Sequence, residues 1–296
     1  MKRIPGLDWL RLLAIVLVTV PHALSVVGHY NQTSIHSVSL GQTGVAIFCT
    51  ISGYLAFGRS SEPVRDWILG RLRAIYPACW LAILLSFALT ALFNTEAFSL
   101  WQFISQMLGL GYFTHGWELV NVASWFISLI LLCYLMTAVA GATGFPRSVL
   151  VLTFAVGALL VALKLEVGLS RHVMAFVLGA GLRLTPPEAR NQLFTAVLVG
   201  TAFLWWQVSF QFAYATIAGI AVWSAVTWPK PYLLRIEIAA KYIYEYFLLH
   251  GFFLAGLARL IPNQAVQGIA AAILTFLFSR CPAKHCYCLA GRYPGA

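Results

Sequence analysis

The sequence predicts an all-α fold, a polytopic membrane bundle of about ten transmembrane helices with a cytoplasmic N-terminus. Of the 296 residues, 60% are hydrophobic and only 9% are charged, whereas an ordinary soluble domain has about 25% charged residues. Long apolar runs follow one another along the chain, and the strands of a membrane barrel would instead alternate over about ten residues. We therefore expect membrane-spanning helices.

Ten apolar segments are interpreted as membrane spans. The first is expected to be retained rather than cleaved as a signal peptide, because it exceeds a typical apolar signal region and further apolar segments follow at once. The expected organisation is one membrane domain, 1–280, followed by an atypical cytoplasmic tail, 281–296. The predicted limits of the spans are 8–28, 41–58, 75–93, 123–141, 148–165, 170–184, 192–209, 211–227, 242–260 and 264–279.

The net charge of +10 is explained by membrane topology. With the N-terminus inside, sixteen of the nineteen Lys and Arg residues fall in cytoplasmic segments. Such an excess is the positive-inside bias of membrane proteins. The excess of basic over acidic residues therefore does not indicate nucleic-acid binding. The cysteines of the tail match no zinc signature, so no metal site is expected.

The first span carries polar residues that an ordinary span would lack. Asp8 and Arg11 are three residues apart and can pair on one helix face. His22 follows Arg11 by eleven residues, which returns it to roughly the same face about 16 Å further along the axis. An ionisable group inside a membrane is a functional hypothesis by default, and imidazole exchanges a proton near neutral pH. The spacing alone does not say what this polar line, from Arg11 to His22, carries.

Motifs in the next segments indicate a family. The second span, GQTGVAIFCTISGYLAFGR, has a glycine-rich start and a Ser-Gly-Tyr ending, and GRLRAIYPACW follows in a cytoplasmic loop. Together with the first span they resemble the membrane acyltransferase 3 family, which O-acylates bacterial surface carbohydrates. SWFISLILLCYL and KYIYEYFLLHGFF are similar to its central and late segments. The matching residues are Arg11, His22, Gly41, Gly44, Phe48, Ile51, Ser52, Gly53, Tyr54, Arg71, Ile75 and Pro77.

This resemblance implies an O-acyltransferase, with acetyl the expected acyl group. The donor would be cytoplasmic acyl-CoA, used as a co-substrate, with no permanently bound cofactor. The acceptor would be a hydroxyl of an extracytoplasmic polysaccharide or glycan. The protein would lie in the bacterial inner membrane, among lipid and polysaccharide-assembly proteins.

The resemblance also implies roles for particular residues. His22 and Arg11 are the expected catalytic residues, and His22 would act either as the base for the acceptor hydroxyl or as a transient nucleophile. Arg71 and Arg73 are expected to bind donor phosphates, because guanidinium groups match phosphate geometry. The expected supporting residues are Ser52, Gly53, Tyr54, Glu245 and His250.

Some features depart from the family pattern or leave alternatives open. The second Arg of the third motif falls on Ala74, and the neighbouring Arg73 would point about 100° away on a helix. A different class of function, a transporter or exporter of a saccharide or acyl group, would use the polar line from Arg11 to His22 as its path.

Residues 94–122 are amphipathic and too polar to cross the bilayer, so a helix lying on the outer surface is expected there.

Overall fold

A computed structural model describes residues 4–26, 33–58, 63–93, 99–227, 242–260 and 273–275. The chain divides into two compact units. The first contains residues 1–21, 31–64 and 132–240, and the second contains 22–30, 65–131 and 241–296. The boundary between them passes through the first helix.

The described residues are mostly helical, as expected for the all-α class. A two-stranded hairpin, β1 (Ser34–Ile35) and β2 (Val38–Ser39), pairs Ser34 with Ser39 and Ile35 with Val38. The helices are α1 (Pro5–Val26), α2 (Leu40–Ala56), α3 (Val64–Phe93), α4 (Leu100–Met107), α5 (Gly111–His115), α6 (Trp125–Thr143), α7 (Pro146–Ala162), α8 (Ser170–Leu184), α9 (Pro187–Gln207), α10 (Phe212–Thr227) and α11 (Ile243–Leu260).

Three of these helices, α1, α3 and α6, are long and apolar enough to cross a membrane. Shorter apolar helices in the described part of the chain are α2, α7, α10 and residues Ile243–Leu254 of α11. They coincide with predicted spans, and α8 and α9 also form where spans were predicted. The tenth predicted span, 264–279, and the tail 281–296 lie outside the described residues, apart from 273–275.

In the first unit, α2 and α8 pack with their backbones in direct contact. A Cβ added to Gly53 would stand 2.0 Å from the carbonyl oxygen of Phe176, and one added to Gly179 would stand 1.9 Å from that of Thr50. Both distances are far below ordinary contact, so only glycine fits at these positions. α2 approaches α1 in a similar way, since a Cβ on Gly44 would stand 2.4 Å from the carbonyl oxygen of Ala14.

In the second unit, residues 99–121 form a hairpin of α4 and α5 that packs along α3. Tyr76 donates a hydrogen bond to the carbonyl of Leu108 at 2.8 Å, and Trp80 donates one to that of Met107 at 2.9 Å. Trp80 lies thirteen residues before the end of α3, about 20 Å along the helix axis. The α4–α5 hairpin therefore runs beside the middle of α3, and its location at the outer membrane surface stays a prediction.

Hydrogen bonds within the second unit allow polar residues of the α4–α5 hairpin to be buried. Gln106 is fully buried, and its Oε1 accepts bonds from the backbone N–H of Asn121 and from the hydroxyl of Ser124, each at 3.2 Å. The side-chain amide of Asn121 in turn donates to the carbonyls of Ala82 and Leu248. Buried polar groups that find partners of this kind avoid the cost of desolvation. The amphipathic pattern of residues 99–121 does not reveal whether lipid or protein packs on the apolar face.

Candidate active site

Asp8 and Arg11 form the ion pair that their spacing predicts. Both lie on α1, and the Nη1 of Arg11 donates to the Oδ1 of Asp8 at 2.8 Å. Asp8 is 4% exposed, whereas Arg11 is half-buried. The ion pair offsets the free-energy cost of burying the charged carboxylate of Asp8. It also keeps the guanidinium of Arg11 in a defined place on the helix.

His22 lies against His250, which belongs to α11. The Nδ1 of His22 is 3.2 Å from the Nε2 of His250, and the two rings are 5.0 Å apart and tilted by 52°. His22 is exposed, while His250 is 3% exposed and contacts the ring of Phe247. The structure thus brings together an accessible imidazole and a buried one that supports it.

The hydrogen bonds of His250 determine the tautomer of the pair. Its Nδ1 bonds to the backbone carbonyl of Phe247. A carbonyl oxygen only accepts, so this Nδ1 carries a proton and the Nε2 of neutral His250 is an acceptor. The Nδ1 of His22 must then be the donor in the bond between the rings. The basic lone pair of neutral His22 is therefore on its Nε2.

Glu245 is the other residue of α11 that was expected to support the site. It is 7% exposed, and its Oε2 has no hydrogen-bond partner among the described residues. It does not pair with His250 there, which agrees with their separation of about 140° around the helix. If α11 spans the membrane as predicted, a buried carboxyl group of this kind is expected to face a polar ligand or a proton path.

The expected donor motif lies at the start of α3. The guanidinium of Arg71 stacks on the ring of Trp67 at 5.7 Å and is half-buried. Arg73 and Ala74 are both exposed. This contact with an aromatic ring restricts the motion of Arg71. Arg73 has no such support from Trp67.

Tyr244 of α11 contacts this motif, and sequence reasoning overlooked it. Its hydroxyl donates to the carbonyl of Ile75 at 3.0 Å, which links α11 to the donor motif two residues before Pro77. Tyr246 and His250 are four residues apart and lie on one face of α11, whereas Tyr244 lies off that face. A tyrosine in the second residue of a span is a signal for such a bond, because its hydroxyl requires a partner when buried.

The Ser-Gly-Tyr ending of α2 lies where this helix packs against α8. Gly53 is at the close contact with α8 described above. Tyr54 is 2% exposed, and the guanidinium of Arg183 lies 5.4 Å from the centre of its ring. Ser52 is half-buried.

A polar cluster of the first unit was also missed. Arg171 donates to the side-chain oxygens of Gln211 and Gln42, each at 2.9 Å, and its guanidinium lies 5.0 Å from the centre of the Tyr214 ring. His172 is fully buried, with its Nε2 2.8 Å from the same oxygen of Gln42. The cluster joins α2, α8 and the turn before α10. The adjacent Arg and His at the start of a predicted span were the available signal.

Residues 4–281 match a family model described as an acyltransferase domain. No curated protein and no solved structure matches the chain at a significant level. The family match covers nearly the whole chain and includes the helices that carry His22, Arg71 and His250. The chain therefore belongs to the acyltransferase 3 family of membrane acyltransferases.

Proposed function

We propose that the protein is a membrane O-acetyltransferase. It transfers an acetyl group from cytoplasmic acetyl-CoA to a hydroxyl of an extracytoplasmic polysaccharide or glycan, and it lies in a bacterial inner membrane. The observation that carries this proposal is the bond between His22 and His250, which fixes an accessible imidazole in one tautomer. Membership of an acyltransferase family supports the reaction class.

His22 is the general base in this proposal. Its Nε2 takes the proton of the acceptor hydroxyl while the hydroxyl oxygen attacks the thioester carbonyl. The C–S bond then breaks, and the CoA sulfur leaves and takes up the proton. A positioned base of this type contributes about 10²–10⁴-fold to a rate. Direct acylation of the same nitrogen, followed by transfer to the hydroxyl, is the second route open to His22.

His250 is a positioning residue in this proposal. It holds the Nδ1–H of His22 and so keeps the lone pair on Nε2. His250→Gln provides an amide oxygen that accepts this bond, whereas His250→Leu provides no acceptor. We expect the Gln variant to keep more of the wild-type kcat than the Leu variant, with the KM for acetyl-CoA similar in both.

Arg71 binds donor phosphates, with Arg73 as a second cation. The stacked guanidinium of Arg71 supports this role, because a restrained Arg loses less conformational freedom when it binds phosphate. The excess of cations in the predicted cytoplasmic segments supports a donor on that side. Arg11, held by Asp8, orients groups along the first helix.

Release of the CoA thiol from acetyl-CoA by membranes of the native host tests the proposal. The membranes retain the natural acceptor, so its identity need not be known. Wild-type membranes are expected to release thiol above the level of deletion-strain membranes. His22→Ala is expected to lower this excess by at least about 100-fold, the lower limit for a positioned base.

His36→Asn is the matched control. His36 is exposed at the tip of the β1–β2 turn with a φ of 47°, a conformation that Asn tolerates. The control is expected to release thiol like the wild type. If wild-type and deletion membranes release thiol equally with every acyl-CoA tested from acetyl to butyryl, the acyl-CoA proposal is wrong, and a transport function becomes the better explanation.

A further inference from the structure

A deep apolar groove of the first unit is not used by the proposed reaction. It lies between α7 and α9, with α8 as its floor, and has a volume of about 1090 Å³. This is slightly larger than most small-molecule sites, which have volumes of about 300–1,000 Å³. The side chains that line it are almost entirely apolar, and they include the exposed Val151, Leu193 and Phe203.

One end of the groove is cationic. Arg147, in the first turn of α7, lines it and is exposed, with a single long hydrogen bond of 3.5 Å to the carbonyl of Leu184. Arg190 lies beside the same end and donates to the carbonyl of Thr185, a lining residue. The acidic residue of this region is the exposed Glu188, in the first turn of α9. The balance of charge at this end therefore favours an anion.

The groove is longer than one leaflet is deep, so a lipid tail can lie along it. On α9 the lining residues extend from Ala189 to Leu204, fifteen residues or about 22 Å. One leaflet of a bilayer has a hydrocarbon depth of about 15 Å, half of the full core. Glycines at 181 and 200 keep the groove open, and a Cβ added to either would meet no atom within 4 Å.

We propose that this groove binds an anionic glycerophospholipid. The acyl chains lie along α9, and the phosphate contacts the guanidinium of Arg147, with Arg190 adding charge at the same end. The apolar walls would bury the chains, and Arg matches phosphate geometry better than Lys does. This site is independent of the acetyl transfer proposed above.

Native mass spectrometry of the detergent-purified protein, titrated with phosphatidylglycerol or phosphatidylcholine, tests the proposal. The wild type is expected to bind phosphatidylglycerol about tenfold more tightly, because both lipids carry the phosphate but the quaternary ammonium of phosphatidylcholine cancels its net charge and is repelled by Arg147 and Arg190. Arg147→Gln should abolish this preference, and Arg147→Lys should retain part of it. Gly200→Leu, which fills the groove, should weaken the binding of both lipids.

Lys164→Gln is the control for charge. Lys164 follows α7 at its other end and is exposed, so its loss should leave the lipid preference unchanged. Equal binding of the two lipids by the wild type would show only unspecific lipid contact and would overturn the proposal. An unchanged preference in Arg147→Gln would also overturn it, and so would lipid binding that is unaffected by Gly200→Leu.

Discussion

The close crossing of α2 and α8 makes a quantitative prediction for Gly53→Ala. The new Cβ would stand 2.0 Å from the carbonyl oxygen of Phe176, whereas ordinary van der Waals contact begins at 3.4 Å. The helices must therefore separate by about 1.4 Å, or the backbone must distort by a similar amount. A gap of 0.5–1 Å already loses about a quarter to a half of the dispersion attraction between packed atoms. The side chains of Ile51 and Phe176, which are fully buried near this crossing, would lose contacts of this kind.

We expect Gly53→Ala to lower the free energy of unfolding by about 1–3 kcal/mol or more, the usual cost of overpacking. Gly181→Ala is the matched control, because this glycine lies on the same helix as Gly179 and a Cβ there meets no atom within 4 Å. Alanine is favoured over glycine in a helix by up to about 1 kcal/mol. The two variants should therefore change stability in opposite directions.

The assay is the Tm of the detergent-purified protein, measured as the fraction that remains monodisperse after heating. Gly53→Ala should lower this Tm by on the order of 5 °C, and Gly181→Ala should leave it unchanged or raise it. Equal Tm values for Gly53→Ala and the wild type would refute the reasoning, since the backbones would then not be in direct contact.

Other parts of the structure give three further predictions. Gln106→Leu leaves the buried N–H of Asn121 without its acceptor and should reduce stability by about 1–3 kcal/mol, measured by the same thermal assay. Tyr244→Phe loses the hydrogen bond to Ile75 and should cost about 0.5–1.5 kcal/mol by that assay, a change that would be absent if the bond did not form. In the thiol-release assay, Arg71→Gln should raise the KM for acetyl-CoA about tenfold with a smaller change in kcat, and Arg71→Lys should raise it less. A KM unchanged in Arg71→Gln would exclude donor binding by that side chain.

Much of the fold and part of the site follow from the sequence. Apolar length predicts the helices, because lipid leaves little alternative for an unbroken apolar run. The pair of Asp8 and Arg11 follows from local geometry, since residues three apart on a helix are neighbours. These features depend on residues close together in the chain.

Contacts between distant segments could not be predicted in the same way. His22 and His250 are 228 residues apart, and no periodicity within either helix indicates that their rings meet. The burial of Gln106 likewise depends on donors from Asn121 and Ser124, which lie 15 and 18 residues further along the chain. The motif glycine Gly53 was recognised, but its packing partner on α8 was visible only in the structure.

The central claim is that His22 enables acyl transfer to a surface glycan. The most direct measurement is the O-acetyl content of the surface polysaccharide in a strain that lacks the gene, complemented with wild type, His22→Ala or His36→Asn at equal membrane levels. We predict that the wild type and His36→Asn restore O-acetyl groups and that His22→Ala does not. Equal restoration by His22→Ala would contradict the assignment of His22, and failure of the wild type to restore O-acetyl groups would contradict the proposed reaction.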